Sequence, residues 1–303
     1  MTEPKCTTVA FLGLGSMGYG MAQSAIREGL DCYCRDIRPE PLERILAEGA
    51  KGALTPEALA EADVAVVTVL NAAQTEAVLF GEDGIVRHMR KGAVVVCCVT
   101  MDPDVARQME SRCQDAGLLF IDAPISGGSI KAAQGTLSIL ASGRPEAFDA
   151  ARPVLDAMAE TVFELGESAG TASAMKAVNQ LLCGVHISAL GEAVTFAATQ
   201  GIPAAQFLNV ISKCAGSSWM LENRGPHIVD GDYTPHSAVN IWLKDLGIAQ
   251  ELAGKAGAPT PLMSVALEQF KAAADAGLGL EDDAAVAKVY AKAAGVSLPE
   301  SAA

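Results

Sequence analysis

The run Gly13-Leu14-Gly15-Ser16-Met17-Gly18 constrains this chain more than any other feature, because of what stands on either side of it. Before it, Thr7 to Leu12 is an apolar run of strand length; after it, Met17 to Glu28 has the spacing of a helix. Glycines at such a junction predict a strand that turns sharply into a helix. Gly13 permits the tight turn, Gly15 leaves bare backbone where an anion can approach, and Gly18 lets the helix pack on the strand. The helix N-terminus, with its unpaired N–H groups, then faces a phosphate-bearing ligand. Gly13, Leu14, Gly15, Ser16, Met17 and Gly18 are therefore candidates to hold the pyrophosphate of a dinucleotide, whereas a ligand-free turn has no need of the flanking strand and helix.

The next segments of the chain support the same architecture. Strand-like runs recur at Asp31 to Arg35, Val64 to Leu70, Ala93 to Val99, Leu118 to Asp122, Leu137 to Ala141 and Thr161 to Glu164, separated by segments long enough for crossover helices. This alternation predicts an α/β fold with a doubly wound, parallel Rossmann-type sheet. After about Glu167 the strand pattern disappears, and Ala-rich helical segments run to the end, predicting an all-α second domain. The expected division is a dinucleotide-binding domain over residues 1–167 and a substrate and oligomerisation domain over 168–303. One buried helix over Ser173 to Thr199 is expected to join them, its Gly184 and Gly191 permitting close packing. Thr260 before Pro261, and Asp282, read as caps of later helices.

Composition excludes several classes of function. At 303 residues the chain exceeds what one core usually serves. Its formal charge of −14 repels phosphate backbones and anionic lipid surfaces, so neither nucleic acid nor a membrane is an expected partner. Apolar stretches such as Val64 to Leu70 are of strand length, below the roughly 20 residues of a membrane span. Met1 to Thr8 is polar and lacks a signal-peptide pattern. The 8 cysteines fall mostly in apolar stretches without metal-site spacing, so no metal and a cytoplasmic location are expected.

Four further places carry candidate chemistry. Asp36 ends the second strand eighteen residues after Gly18, where a carboxylate accepts hydrogen bonds from a ribose and repels a 2′-phosphate, favouring NAD over NADP. Arg35 and Arg38 flank it, and an arginine there is what accommodates the extra phosphate. Leu70, closing the run from Val64, joins the cofactor-binding candidates. In Asp122-Ala123-Pro124-Ile125-Ser126-Gly127-Gly128, the serine and two glycines suit a nest of N–H groups for a carboxylate, or an ordinary turn. Lys176, Asn179 and Gln180 share one helix face, and burial of such a lysine lowers its pKa toward values useful for proton transfer, although most lysines are solvated. The stretch from Ser217 through His236 to Lys244-Asp245 is polar within an apolar region; a solvated loop explains it equally well. His88, His186 and His227 show no evident partners and read as structural.

Taken together, the glycine run, the Ser126 turn, the Lys176 helix and Lys244-Asp245-Leu246 resemble the β-hydroxyacid dehydrogenases in order and spacing, over nearly the whole chain. The segments Ala215 to Arg224 and Gly231 to Ser237 are most similar to the L-threonate branch of that family. The resemblance implies NAD-dependent oxidation of a small hydroxy acid, L-threonate to 2-oxotetronate. It implies Lys176 as the catalytic base, Ser126, Gly127 and Gly128 as the carboxylate site, and Thr100 and Lys244 near the nicotinamide. Departures are also visible: the family's asparagine four residues after the lysine is here Gln180, with Asn179 just before it, and either amide can orient a substrate hydroxyl. Ala172 and Asn240 replace the family's usual Gly and Asp. The rival readings are a tartronate semialdehyde or 3-hydroxyisobutyrate activity at the same site, or a non-catalytic NAD sensor. Apolar helix faces that need covering lead to the expectation of a homodimer or homotetramer.

Overall fold

In the computed structural model, which describes residues 6–300, the chain divides into two compact units at Lys176 and Ala177. The first opens with β1 (Thr8–Leu12), α1 (Gly18–Arg27), β2 (Asp31–Arg35), α2 (Pro39–Ala47), β3 (Gly52–Ala53), α3 (Pro56–Glu61), β4 (Val64–Val67) and α4 (Ala72–Phe80). It continues through β5 (Val94–Cys97), α5 (Pro103–Asp115), β6 (Leu119–Asp122), β7 (Ile125–Ser126), α6 (Gly128–Gln134), β8 (Leu137–Gly143), α7 (Pro145–Met158) and β9 (Ala159–Glu164). The sheet order is β3-β2-β1-β4-β5-β6-β8-β7, with β9 on β8. From β3 to β6 every neighbour is parallel, as the crossover helices require.

Each central strand is buried on both faces, which is why it reads as a continuous apolar run. Alternate side chains enter different cores: Val9, Phe11, Val64, Val66, Val94 and Val96 meet Met21 and Leu155 of α1 and α7. Ala10, Leu12, Ala65, Val67, Val95 and Cys97 meet Leu59, Leu79 and Met109 on the other face. Buried cysteines serve as small apolar groups here, burial pushing the Cys34, Cys98 and Cys113 thiols up to about 12.

The doubly wound parallel sheet expected from the sequence is present, and at one end it adds β8, which runs antiparallel to both β6 and β7. The β4 run also stops at Val67 rather than Leu70. Thr68 still donates its N–H to the Leu12 carbonyl at 2.9 Å, while its hydroxyl donates to the carbonyls of Gly13 (2.6 Å) and Leu12 (3.2 Å), and Asn71 caps α4 through the Gln74 N–H. The two-residue strands β3 and β7 are too short to leave a periodic signal.

Helix α8 (Thr171–Thr199) begins in the first unit and continues into the second. It corrects the reading of apolar lengths: its most apolar window has a mean hydropathy of 1.5, enough by length and composition to cross a membrane, yet 44% of that window is buried within the fold. It also carries buried Ser173, Lys176 and Gln180 with polar partners, as a core helix does. Nor is it buried all round, since Met175, Val178, Leu182 and Phe196 are exposed.

The second unit is all-helical: the remainder of α8, then α9 (Ala204–Ile211), α10 (Trp219–Asp230), α11 (Val239–Lys255), α12 (Pro261–Ala273) and α13 (Val286–Ala294). A Cβ on Gly184 would lie 2.8 Å from Leu246 Cδ2, and one on Gly191 would lie 3.0 Å from Ala287 Cα, so both glycines do permit close packing. Asp282 caps the turn ahead of α13 by accepting from the Ala284 N–H, whereas Thr260 makes no side-chain cap to α12. His227, expected to lack partners, packs edge-on against His236 with ring centroids 4.7 Å apart.

The glycine junction makes a direct prediction. A Cβ on Gly18 would sit 2.1 Å from the Gly13 carbonyl oxygen and 2.3 Å from Thr68 Oγ1. Gly18→Ala is expected to lower unfolding stability by about 1–3 kcal/mol through overpacking, with weakened NAD binding. Urea unfolding together with NAD titration checks this; an unchanged midpoint and affinity would show that the junction relaxes freely.

Candidate active site

Parallel strands place their C-terminal ends along one edge of the sheet, and that edge collects the candidates of the first unit. The glycine loop leaves β1, Asp36 follows β2, Thr68 to Leu70 follow β4, Thr100 follows β5, and the Ser126 turn follows β6. Gly13 has φ +98°, which a side chain would strain, and the Gly15 backbone faces open space with no atom within 4 Å of where a Cβ would be. The loop thus keeps its backbone bare where a pyrophosphate must approach, so these residues fit a dinucleotide.

Asp36 does more than present a carboxylate. One oxygen accepts the Leu14 N–H at 2.6 Å, and the other accepts the Arg38 N–H (2.9 Å) and Nε (3.3 Å). Burial raises its pKa, but these backbone and guanidinium donors outweigh that and hold the carboxyl below its ordinary value. Arg38 also donates to the Leu14 carbonyl, so the guanidinium is folded onto the loop that Asp36 braces.

Beyond β6 the chain builds a second polar cluster. Asp122, 1% exposed, accepts from the Gly170 and Ser173 N–H groups and the Ser173 hydroxyl at 2.8–3.0 Å, so it serves the start of α8 from a distance. Burial pushes its carboxyl up, against those donors. With α8 anchored there, Lys176 is held at 7% exposure and its Nζ donates to the Ile125 carbonyl at 2.9 Å. The next residues are Ser126, Gly127 (φ +135°) and Gly128 (φ +77°), the left-handed backbone that a concave N–H nest requires. The structure thus brings the lysine to the serine-glycine turn.

In the second unit Asn179, Gln180 and Lys244 come together around Asp245, a buried carboxylate on α11. Gln180 Nε2 donates to Asp245 Oδ2 at 2.5 Å, Asn179 Nδ2 donates to Gln180 Oε1 at 2.9 Å, and Lys244 Nζ pairs with Asp245 Oδ1 at 2.9 Å. Leu70 is exposed and Thr100 half-buried on the first unit's strand edge. Sequence reasoning missed Thr68, the bracing role of Asp36, Asp122 as the anchor of α8, and Asp245 as a hub. Thr68 did leave a signal, being the one hydroxyl inside the run from Val64 to Leu70.

Comparison with known proteins agrees with this geometry. Residues 8–166 match the model for the NAD-binding domain of 6-phosphogluconate dehydrogenase, and residues 170–290 match that for the NAD-binding domain of NADP-dependent 3-hydroxyisobutyrate dehydrogenase. The L-threonate dehydrogenase of Haemophilus influenzae is 44% identical, over 98% of both chains. The chain belongs to the β-hydroxyacid dehydrogenase family, of the 3-hydroxyisobutyrate dehydrogenase type. An L-threonate dehydrogenase of Pectobacterium atrosepticum is 45% identical over 96% of each chain. The crystal structure of a 3-hydroxyisobutyrate dehydrogenase from Salmonella typhimurium superposes with a TM-score of 0.89 at 44% identity, covering 93% of this chain and 99% of that one. Imine reductases at 19–23% identity share the fold alone. As a member of the family the protein is an NAD-dependent dehydrogenase of a small hydroxy acid.

Proposed function

We propose that this β-hydroxyacid dehydrogenase oxidises L-threonate at C2 to 2-oxotetronate. The observation that carries the reading is the buried Lys176 amine, held on the Ile125 carbonyl beside Ser126, Gly127 and Gly128. The substrate follows the names of the two relatives at 44% and 45% identity.

When bound, NAD supplies the acceptor for the C2 hydrogen and its electron pair. The chain supplies the rest. The Ser126 hydroxyl and the N–H groups of Gly127 and Gly128 hold the substrate carboxylate, while Lys176 Nζ, as general base, takes the C2 hydroxyl proton as the carbonyl forms. The 13–18 loop takes the pyrophosphate, Asp36 the ribose, and Thr100 and Lys244 the nicotinamide end, with Leu70 a further cofactor contact. One substrate panel tests the reading: NADH absorbance with L-threonate, D-threonate, D-erythronate, D-glycerate and 3-hydroxyisobutyrate. Rapid turnover of L-threonate alone is expected; a preference for 3-hydroxyisobutyrate would move the assignment to the activity named for the Salmonella relative.

Cofactor choice is set by the same loop. With its guanidinium drawn onto Asp36 and Leu14, Arg38 is held by the carboxylate that a 2′-phosphate would have to displace. Asp36→Ala is expected to raise the KM for NAD about tenfold, the value of one hydrogen bond to a charged group, and to narrow the gap to NADP. Equal use of both cofactors by the unaltered enzyme would overturn this assignment.

We also read the protein as a cytoplasmic homo-oligomer. Burial of Cys32, Cys34, Cys97, Cys98 and Cys113 as free thiols in the core supports a reducing compartment. Met175, Val178 and Leu182, exposed at spacings of three and four along α8, support self-association. Sedimentation of the purified protein as a monomer would rule out the latter.

A further inference from the structure

We propose that Thr68 is a positioning residue for the cofactor, its hydroxyl locking the Gly13–Leu14 peptide so that the glycine loop is shaped for a pyrophosphate before one binds. This rests on the placement of the dinucleotide at residues 13–18 given above, and adds to it a residue on another strand that acts through the loop.

The carbonyl of Gly13 and the N–H of Leu14 are the two poles of one planar trans peptide, and they point in opposite directions. The structure holds both of them. Leu14 N–H donates to Asp36 Oδ2 at 2.6 Å, and the Gly13 carbonyl accepts the Thr68 hydroxyl at 2.6 Å. Turning this peptide over would break both bonds and swing the carbonyl oxygen toward Asp36. That carboxyl group has a side chain only 7% exposed and, despite its burial, is held below its ordinary pKa by its donors, so it repels an oxygen. Gly13 by itself makes no such choice, because a glycine at φ +98° leaves the peptide that follows it free to rotate.

Thr68 is fixed in its turn. Its N–H donates to the Leu12 carbonyl at 2.9 Å, which continues the β1–β4 ladder and ties its backbone to the strand that feeds the loop. Its hydroxyl carries one proton and lies 3.2 Å from the Leu12 carbonyl but 2.6 Å from that of Gly13, so the proton is spent mainly on Gly13. The same oxygen stands 2.3 Å from where a Cβ on Gly18 would be. One hydroxyl thus lies against the first and the last glycine of the run and closes the loop onto the end of β4. Valine, the residue that fills the strand before it, has the same shape but donates nothing to the Gly13 carbonyl. A loop already held in its bound shape loses little freedom when the ligand arrives, so removal of the lock is expected in affinity and not in the hydride step.

The test separates ligands that carry a pyrophosphate from one that does not. Dissociation constants are measured by calorimetry for NAD, ADP-ribose and adenosine with wild type, Thr68→Val and Thr68→Ser, alongside kcat and both KM values for L-threonate oxidation. Thr68→Val is expected to weaken NAD and ADP-ribose about five- to tenfold, the value of one hydrogen bond. Adenosine, kcat and the KM for L-threonate at saturating NAD are expected to stay near wild type. Thr68→Ser keeps the hydroxyl and is expected to keep the affinity. Should Thr68→Val fail to fold, Thr68→Ala takes its place, read against Thr68→Ser. Unchanged ADP-ribose affinity in the valine variant, an equal loss for adenosine, or a serine variant as weak as the valine one would overturn the lock while leaving the cofactor site standing. A wild type that binds NAD but not ADP-ribose would overturn both the lock and the placement of the pyrophosphate on the loop.

Discussion

Lys176→Ala lowers kcat for L-threonate by about 10²- to 10⁴-fold, the usual contribution of a positioned acid or base, while NAD affinity measured by calorimetry stays close to wild type. The expectation comes from three linked features. Asp122 anchors the first turn of α8 through the Gly170 and Ser173 N–H groups; α8 holds Lys176 at 7% exposure; and the Ile125 carbonyl fixes Nζ next to the Ser126 turn. Lys176→Arg is expected to fail as a rescue, because a guanidinium keeps its proton and cannot accept the substrate's. Turnover within a few-fold of wild type in the alanine variant would remove Lys176 from the chemistry.

The largest stability effect is expected in the second unit. Arg224 on α10 is 7% exposed and meets two fully buried carboxylates, Asp282 and Asp283. Its NH2 group reaches Asp283 Oδ2 at 3.3 Å, and that same oxygen accepts Trp242 Nε1–H at 2.8 Å. Asp282 is also occupied with the N–H groups of His236 and Ala284. Arg224→Met keeps much of the volume but strands buried negative charge, and should cost about 3–5 kcal/mol of unfolding free energy.

That deficit should depend on pH. Burial already raises the Asp283 carboxyl above its ordinary value, against the opposing pull of Arg224. A carboxyl whose folded pKa exceeds its unfolded value of about 3.9 favours the folded state most below that value, and loses the contribution as pH rises through the folded pKa. Without the guanidinium that folded pKa climbs further. The Arg224→Met deficit is therefore expected to be largest at neutral pH and to shrink on acidification, as Asp283 becomes neutral. Chemical denaturation at a series of pH values reads both magnitude and trend; a deficit independent of pH would mean that lost packing, not stranded charge, is what matters.

The parts of the fold legible in the sequence were those with a local cause. Val64–Val67 and Val94–Cys97 had to be buried strands because nothing in them tolerates water. The glycines at 13, 15 and 18 each had a backbone reason visible from the motif, and each holds in three dimensions. By contrast, the antiparallel turn of β8 onto β6 and β7 left no trace, since period-two patterns do not encode strand direction. The exposed stripe on α8 was read as buried because apolar composition does not say which face is covered.

For the site, residue types and spacing raised Lys176, Ser126 and the amide pair only as candidates beside a plain turn and a solvated lysine, and the family resemblance supplied their roles. Polarity and partnership were not available there. That Asp122 accepts from Ser173 at the start of α8, and that Gln180 donates to Asp245, are contacts across 51 and 65 positions. The sequence by itself determined the strand-turn-helix frame and the inventory of reactive groups, both set by short-range sterics and side-chain chemistry. The tertiary structure alone decided which buried carboxylate faces which donor, because hydrogen-bond direction is settled by partners that only folding brings within reach.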